Sequence, residues 1–301
     1  MKTFSLNNGI IEAVFLSYGA ILHELWTKDK NGKRINIIQG LEKPEDYLTD
    51  SWSHGAIVGR YAGRLENPIQ IEGKDIIIEN SQGVLLHSGQ SGWNTKEWKI
   101  IHDSRPNSVR FQYRCKDGAS GFPGNVEAEI NYRIKDNQIC LDYFATTDAP
   151  THINLTNHSY FNLNGGGPID RHELKISADE TLELKKNLVP TGKKLPIKNT
   201  VFDYNTQKLI GKNRLDNYFI VVPSELEIAS LYESESGIEM KIYTDQPGLV
   251  VFTPSHFNAI CFETQKFSNT PNILDFPSTL LVPGTKYIQK TLFEFNLKSE
   301  V

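Results

Sequence analysis

The segment VEAEINYRIKDNQICLDYFA runs from Val126 to Ala145 and alternates apolar with polar residues on either side of its centre. Asp136 and Asn137 interrupt the alternation, and residues of these types favour tight turns. Successive side chains of a β-strand point to opposite faces, so a period of two predicts a hairpin with one buried and one solvated face. The segment therefore indicates an antiparallel sheet.

The same alternation recurs along the chain, at residues 174–184 and 238–243, and glycine-containing turns separate the apolar runs. Helical segments are few, and residues 44–48 suggest one turn. The apolar run from Ala13 to Trp26 fits either a helix or strands, and Gly19 favours two strands. Short strands at regular spacing predict an all-β fold, a sandwich or a barrel. Residues 190–205, rich in Lys, Pro and Asn, are predicted to form one long loop.

Composition limits the classes of protein that fit. The chain has 301 residues, 39% of them hydrophobic, which is enough for a large core. No linker with a shift in composition occurs, so we predict one domain over residues 1–301. The formal net charge is −4 with no block of like charge, so nothing indicates a nucleic-acid or membrane partner.

Cysteine usage and the N-terminal sequence predict a cytoplasmic location. The three cysteines are far apart and lack a CxxC spacing, which argues against a disulfide framework and a structural zinc site. The first residues show no apolar signal region, and no run is long enough to span a bilayer. The sequence leaves a monomer and a homodimer equally open.

Common cofactor and nucleophile motifs do not occur. The sequence has no GxxxxGK[ST] phosphate loop, no GxGxxG after a strand, no HExxH and no GxSxG elbow. Any chemistry is therefore expected to come from acid–base side chains, without a metal or a cofactor.

Four segments carry more polar groups than packing requires. The densest is THINLTNHSYFNL, from Thr151 to Leu163, whose amides, hydroxyls and His158 suit either a polar strand edge or a site that meets several ligand hydroxyls. Arg60 and Arg64 are separated by Tyr-Ala-Gly and fit either a surface pair or one anion- or hydroxyl-binding site. His87, between leucine and a glycine turn, taken alone favours a structural role.

Glu263 is the strongest single candidate for a base. It lies within an apolar strand pattern, so its carboxylate is expected to face the interior. A buried carboxylate is costly unless it is paired or used. A buried salt bridge is the alternative interpretation.

Taken in order, these segments resemble the aldose 1-epimerase (galactose mutarotase) family. The resemblance extends from near residue 55 to the C-terminus. The matching segments are GRYAGR at 59–64, LHSG at 86–89, NLTNHSYFNL at 154–163, LDNYF at 215–219, QPG at 246–248, CFETQ at 261–265 and LVPGTKY at 281–287.

The resemblance implies a large antiparallel β-sandwich of the galactose mutarotase type, with a sugar cleft, a monosaccharide substrate and no cofactor. It also implies that His158 is the general acid and Glu263 the general base. Arg64, His87 and Asp216 would bind sugar hydroxyls, and Tyr160 would line the cleft.

Two departures from the family pattern concern the sugar rather than the acid–base pair. Gly63 stands where the family usually has asparagine, and Leu249 and Val250 follow the Pro-Gly pair where a glutamine is frequent. We therefore predict interconversion of α and β anomers of a free hexose such as glucose or galactose. The alternatives are a phosphorylated or anionic sugar, a non-catalytic sugar-binding sandwich, and a glycoside hydrolase, which requires two carboxylates.

Overall fold

The computed structural model describes residues 1–102, 105–223 and 226–298, which form strands and short 3-10 helices and no α-helix. The strands are β1 (Thr3–Asn7), β2 (Glu12–Leu16), β3 (Ile21–Lys28), β4 (Arg34–Asn36), β5 (Ile57–Val58), β6 (Arg64–Glu66), β7 (Ile69–Ile71), β8 (Lys74–Ile76), β9 (Val84–Leu86), β10 (Lys99–His102), β11 (Ser108–Cys115), β12 (Val126–Lys135), β13 (Gln138–Thr147), β14 (Thr151–His152), β15 (Thr156–Asn157), β16 (Tyr160–Phe161), β17 (Glu173–Ile176), β18 (Glu180–Leu184), β19 (Pro190–Pro196), β20 (Lys208–Leu209), β21 (Asp216–Ile220), β22 (Ala229–Tyr232), β23 (Ile238–Thr244), β24 (Gly248–Phe252), β25 (Ile260–Thr264), β26 (Leu280–Leu281) and β27 (Tyr287–Leu297). The 3-10 helices are Pro44–Thr49, Gly89–Ser91, Trp93–Thr95, Ala119–Gly121 and Thr270–Asn272.

The predicted hairpin lies within the larger sheet. This sheet has nine strands in the order β10-β11-β12-β13-β27-β23-β22-β17-β20, and all its pairings are antiparallel. Strands β12 and β13 pair in register from Lys135 and Gln138 at the turn to Val126 and Thr147 at the far end. Asp136 adopts a positive φ of 52°, a conformation that aspartate tolerates better than most residues.

A second antiparallel sheet of six strands has the order β16-β25-β24-β21-β18-β19. One of its faces shares a single hydrophobic core with the nine-stranded sheet. The rings of Phe161 and Phe293, one from each sheet, have centroids 5.2 Å apart. The hydroxyls of Thr264 and Thr291 hydrogen-bond between the sheets at 2.6 Å. Two sheets packed face to face confirm the prediction of an all-β sandwich.

The N-terminal run also behaves as predicted. Strands β2 and β3 form from the apolar run around Gly19 and pair within a four-stranded sheet, β1-β2-β3-β4. The Phe15 ring packs against Tyr132 of β12 with a centroid distance of 4.7 Å. Residues 44–48 lie within the 3-10 helix Pro44–Thr49, as expected.

The predicted long loop at residues 190–205 is wrong for its first half. Residues Pro190–Pro196 form β19, which pairs with β18 at the edge of the six-stranded sheet. Proline lacks an N–H, and both prolines of this strand stand at its ends, where an edge strand tolerates them. The proline and lysine content of this segment led to the prediction of a loop where the chain forms an edge strand.

No helix in the described part of the chain is long and apolar enough to cross a membrane.

Candidate active site

Strand β25 presents different chemistry on its two faces. Ile260, Phe262 and Thr264 point into the shared core. The alternate residues Cys261 and Glu263 therefore point to the outer face of the six-stranded sheet, and Gln265 follows with the same period. Glu263 is buried, as its apolar strand pattern predicted, but the period of two places it on the outer face of the six-stranded sheet and not in the core between the sheets.

That outer face is covered by loops and encloses a cavity of about 180 Å³. A cavity of about 150 Å³ can accommodate a six-membered ring such as benzene, so this volume suits a small cyclic ligand. The floor comes from alternate residues of neighbouring strands. The rim comes from residues 51–53, 63–64 and 86–87 and from Leu184, Leu188, Pro190 and Ser268. The floor residues are Tyr160, Asp216, Tyr218, Val250, Phe252, Glu263 and Gln265.

His158 and Glu263 meet in this cavity. Their Nε2 and Oε1 atoms are 3.5 Å apart, and their side chains are only 6% and 5% exposed. Nδ1 of His158 lies 3.6 Å from Sγ of Cys261. Within the described residues, Oε2 of Glu263 has no hydrogen-bond partner. One carboxylate oxygen is thus left to accept a proton or a hydrogen bond from a ligand.

Burial shifts the pKa values of both members of the pair. Desolvation lowers the pKa of His158 to about 4. Desolvation raises the pKa of Glu263 to about 8, and the nearby Asp216 charge acts in the same direction while Arg64 opposes it. Since the low-dielectric surroundings disfavour charge on either group, the pair holds one dissociable proton over the intervening pH range.

His87 is fixed at the rim by its backbone and by one ring nitrogen. Its φ of 51° lies in the left-handed region. The Gly63 N–H donates to Nδ1 of His87 at 3.2 Å, and the His87 N–H donates to the Gly63 carbonyl at 3.1 Å. Burial, with contributions from His158 and Arg64, lowers the pKa of His87 well below its usual value. A neutral ring that accepts at Nδ1 carries its proton on Nε2, so it is a donor to ligand oxygens.

Arg64 and Asp216 form a partly exposed pair in the cavity wall. Nη2 of Arg64 is 3.5 Å from Oδ2 of Asp216, and the side chains are 25% and 36% exposed. This long, partly hydrated contact leaves both groups with hydrogen-bonding capacity for a ligand.

Arg60 does not belong to the site, although the sequence left open that both arginines reach it. The Arg60 side chain is buried at 1% exposure. Its Nη1 donates to the Pro123 carbonyl at 2.7 Å, and its Nη2 donates to the carbonyls of Lys116 and Gly124 at 3.2 and 2.9 Å. Backbone carbonyls thus occupy both terminal nitrogens of the guanidinium, so Arg60 stabilises a loop junction.

Tyr160 lines the cavity, but its hydroxyl is already used. That hydroxyl donates to the Trp52 carbonyl at 3.1 Å, so the ring rather than the hydroxyl faces a ligand. Trp52 and Phe252 are nearly parallel, with centroids 6.3 Å apart, and extend the aromatic wall. The sequence analysis missed Trp52, Phe252 and Tyr218. The alternation of residues along β21 and β24 could have indicated Tyr218 and Phe252.

The two predicted departures from the family pattern alter the cavity. A Cβ atom at Gly63 would lie 2.0 Å from Oγ of Ser268, and the φ of Gly63 is +81°. Val250 pairs with Glu263 across the sheet and gives the floor an apolar group. Neither position supplies an amide to the cavity.

One group of side chains has the composition of a metal-ligand set. His87, His158 and Glu263 offer nitrogen or oxygen atoms within 4.8 Å of one another. Two histidines and a glutamate also occur in catalytic zinc sites. Ligand carboxylates must be deprotonated, and the raised pKa of Glu263 opposes that at neutral pH. The absence of a metal and of a cofactor stays a prediction.

The fold and site together define a β-sandwich protein with a buried imidazole–carboxylate pair in a cavity of about 180 Å³, and comparison with known proteins gives its family. The sequence profile of the family described as Aldose 1-epimerase matches residues 2–294. The chain therefore belongs to the aldose 1-epimerase family. The predicted enzyme class, an isomerase that acts on carbohydrates, is confirmed.

Relatives of known name and structure match over nearly their whole length. The galactose mutarotase of Homo sapiens is 29% identical over 328 residues, which cover 99% of this chain and 94% of the human protein. The aldose 1-epimerase of Escherichia coli K12 is 29% identical, covering 96% of this chain and 93% of the relative. The crystal structure of an aldose epimerase homologue from C. elegans superposes with a TM-score of 0.93 at 28% identity, covering 99% of both chains.

Proposed function

We propose that the enzyme interconverts the α and β anomers of a free, neutral hexose such as glucose or galactose, with His158 as general acid and Glu263 as general base. The observation that carries the proposal is the 3.5 Å approach of these two side chains in a cavity of about 180 Å³, close to the size of a six-membered ring. The name of the human relative, galactose mutarotase, supports galactose as a substrate.

The reaction opens and recloses the hemiacetal ring. Glu263 takes the proton of the C1 hydroxyl as the bond between C1 and the ring oxygen breaks. The electron pair of that bond goes to the ring oxygen, which takes a proton from His158. The C1–C2 bond of the open aldehyde then rotates, and the same steps in reverse close the ring on the other face of the carbonyl.

The proton inventory of the pair suits this cycle. Ring opening needs one group that gives a proton and one that accepts a proton. Between a pKa of about 4 for His158 and about 8 for Glu263, the two groups share a single dissociable proton. When this proton is on the imidazole of His158, Glu263 is a carboxylate beside the C1 hydroxyl. Ring opening followed by ring closure returns the proton to the imidazole.

The remaining polar side chains hold the sugar while C1 turns. The Nε2–H of His87 and the guanidinium of Arg64 are donors, and the Asp216 carboxylate is an acceptor. The Tyr160 ring contacts an apolar face of the pyranose. Fixing the other hydroxyls confines the motion to C1 and contributes through orientation.

The electrostatics favour a neutral sugar over a phosphorylated one. A phosphate group is usually bound by several cationic hydrogen-bond donors. Among the described residues that line the cavity, Arg64 is the only arginine or lysine. Arg64 already faces Asp216, and Arg60 is directed elsewhere. A glycoside hydrolase requires two carboxylates across the scissile bond. The group next to Glu263 is the imidazole of His158, so the site fits that reaction poorly.

The setting proposed for this reaction is the cytoplasm. Cys115, Cys140 and Cys261 are all free and buried, which suits a reducing compartment. The proposed partner is the monosaccharide alone.

Polarimetry tests the proposal directly. Freshly dissolved α-glucose, α-galactose and their 6-phosphates are followed with wild type and with the double variant His158→Gln/Glu263→Gln as background. We expect wild type to accelerate the change in optical rotation of at least one neutral hexose and to act more weakly on the phosphates. No acceleration with any of these sugars would refute the proposal.

A further inference from the structure

Gln265 has a side chain that the protein does not satisfy. It is fully buried, with 0% exposure, and it lines the cavity. Within the described residues, neither its amide nitrogen nor its amide oxygen has a hydrogen-bond partner. Leaving a buried polar group without a partner costs about 1–3 kcal/mol. An amide placed this way is poorly explained by stability.

The backbone, not the side chain, holds this residue in position. The Gln265 N–H donates to the Gly248 carbonyl at 3.1 Å, and its carbonyl accepts from the Tyr218 hydroxyl at 2.8 Å. The period of two along the strand places its side chain on the same face as Glu263. These two backbone hydrogen bonds hold the residue in place, so the side-chain amide faces the cavity beside Glu263 without a bond of its own.

Ser268 adjoins the amide at the position where Gly63 has no side chain. A Cβ atom built on Gly63 would lie 2.0 Å from Oγ of Ser268 and 3.6 Å from Nε2 of Gln265. The Ser268 hydroxyl therefore occupies the volume that a side chain at position 63 would take, and the Gln265 amide lies at the edge of that volume. Ser268 also lines the cavity. Gly63, Gln265 and Ser268 together form what we call the amide corner.

We propose that the amide corner binds one hydroxyl of the sugar other than the C1 hydroxyl and thereby helps to determine which hexose is accepted. An amide offers a donor and an acceptor, and a sugar hydroxyl is both, so a single hydroxyl satisfies both orphaned atoms of Gln265. A site with such groups rejects analogues that lack the hydroxyl, because its buried polar atoms then stay unpaired. This inference rests on the proposed function, since it takes a pyranose as the ligand.

The test is a cycle between Gln265→Met and a set of monodeoxy hexoses. Methionine keeps the length of the side chain and removes its polar atoms. We expect kcat/KM for the complete hexose to fall about 30-fold, the ratio that corresponds to two lost hydrogen bonds of about 1 kcal/mol each. For one deoxy sugar, the one without the bound hydroxyl, wild type and variant should have the same kcat/KM. Ser268→Ala should weaken turnover of the same set of sugars in the same pattern.

Stability and a matched control separate binding from structure. We expect the Tm of Gln265→Met to stay equal or to rise, because an unsatisfied buried amide has been removed. Gln246 is a buried glutamine outside the cavity, and Gln246→Met should leave kcat/KM unchanged. If Gln265→Met lowers Tm and slows every deoxy sugar by the same factor, the amide is structural and the proposal is overturned.

A binding measurement keeps this inference distinct from the proposed function. Trp52 lines the cavity, so its fluorescence reports sugar binding without turnover. If wild type binds hexoses but does not turn them over, the proposed function fails. The cycle of Gln265→Met with the deoxy sugars, read as Kd, then still decides the role of the amide corner.

Discussion

The two faces of strand β25 differ in what their residues contribute. On the core face, Phe262 lies in the main hydrophobic cluster and Thr264 hydrogen-bonds to Thr291 of the other sheet. On the outer face, Glu263 and Gln265 carry buried polar atoms that find no partner within the described residues. Adjacent residues of one strand thus meet opposite requirements.

The core-face groups stabilise the fold, whereas the outer-face groups keep hydrogen-bonding capacity that the protein itself does not use. A satisfied buried hydrogen bond contributes about 1 kcal/mol to the free energy of unfolding, whereas an unsatisfied buried group costs more than that. Along this segment, the unpaired buried polar atoms therefore lie on the face that lines the cavity and not on the core face. The two arginines also differ, because backbone carbonyls hold both terminal nitrogens of Arg60 while Arg64 keeps hydrogen-bonding capacity at the cavity wall.

The sharpest test of this comparison is Glu263→Gln. We expect the enzymatic rate to fall by about 10²–10⁴-fold, because the amide has nearly the shape of the carboxyl but cannot take a proton. Sugar binding, read from Trp52 fluorescence, and the free energy of unfolding in urea should stay close to wild type. A variant that keeps more than a tenth of the rate would show that Glu263 is not the base.

The pH dependence of kcat/KM tests the shared proton. We expect a plateau between about pH 4 and about pH 8, set by the pKa values of His158 and Glu263. Below the plateau the pair gains a second proton and lacks a base, and above it the pair loses its proton and lacks an acid. Activity should fall about tenfold per pH unit on each side.

Background-corrected polarimetry in buffers from pH 3 to pH 10 measures this profile, limited to the range in which circular dichroism shows a folded protein. A single inflection near pH 6.5, the ordinary pKa of histidine, would contradict the burial argument for His158.

The smallest expected effect belongs to the core face. Thr264→Val should lower the free energy of unfolding by about 1 kcal/mol, because it removes the bond to the Thr291 hydroxyl. The rate constant of the folded enzyme should be unchanged. Chemical denaturation and polarimetry on the same samples measure both quantities.

The double variant Thr264→Val/Thr291→Val serves as the control, since replacing both partners by apolar groups of the same shape is nearly neutral. A large loss of rate in Thr264→Val alone would mean that the two faces are not independent.

Much of the fold was predictable from local patterns. The alternation from Val126 to Ala145 predicted β12, its turn and β13, because a period of two has one structural meaning over ten residues. The segment from Pro190 to Pro196 was missed, because edge strands accept the lysines and prolines that usually mark loops.

The candidate site was predictable in its members but not in its arrangement. The motif resemblance gave His158, Glu263, Arg64, His87, Asp216 and Tyr160, and all of them line one cavity. Their catalytic and binding roles remain proposals. The sequence could not show that Glu263 faces away from the sandwich core or that Arg60 is bound by backbone carbonyls. Those facts depend on what covers each face of a strand.

The sequence by itself determined the all-β architecture and the family, because alternation and motif order are properties of neighbouring residues. Only the tertiary structure decided which polar atoms are left without a partner. That outcome depends on residues far apart in the chain, such as Gly63, Gln265 and Ser268, coming within a few ångströms of one another. Hydrogen bonds act over about 3 Å. A local sequence pattern therefore cannot show whether a buried amide has a hydrogen-bond partner within its own protein.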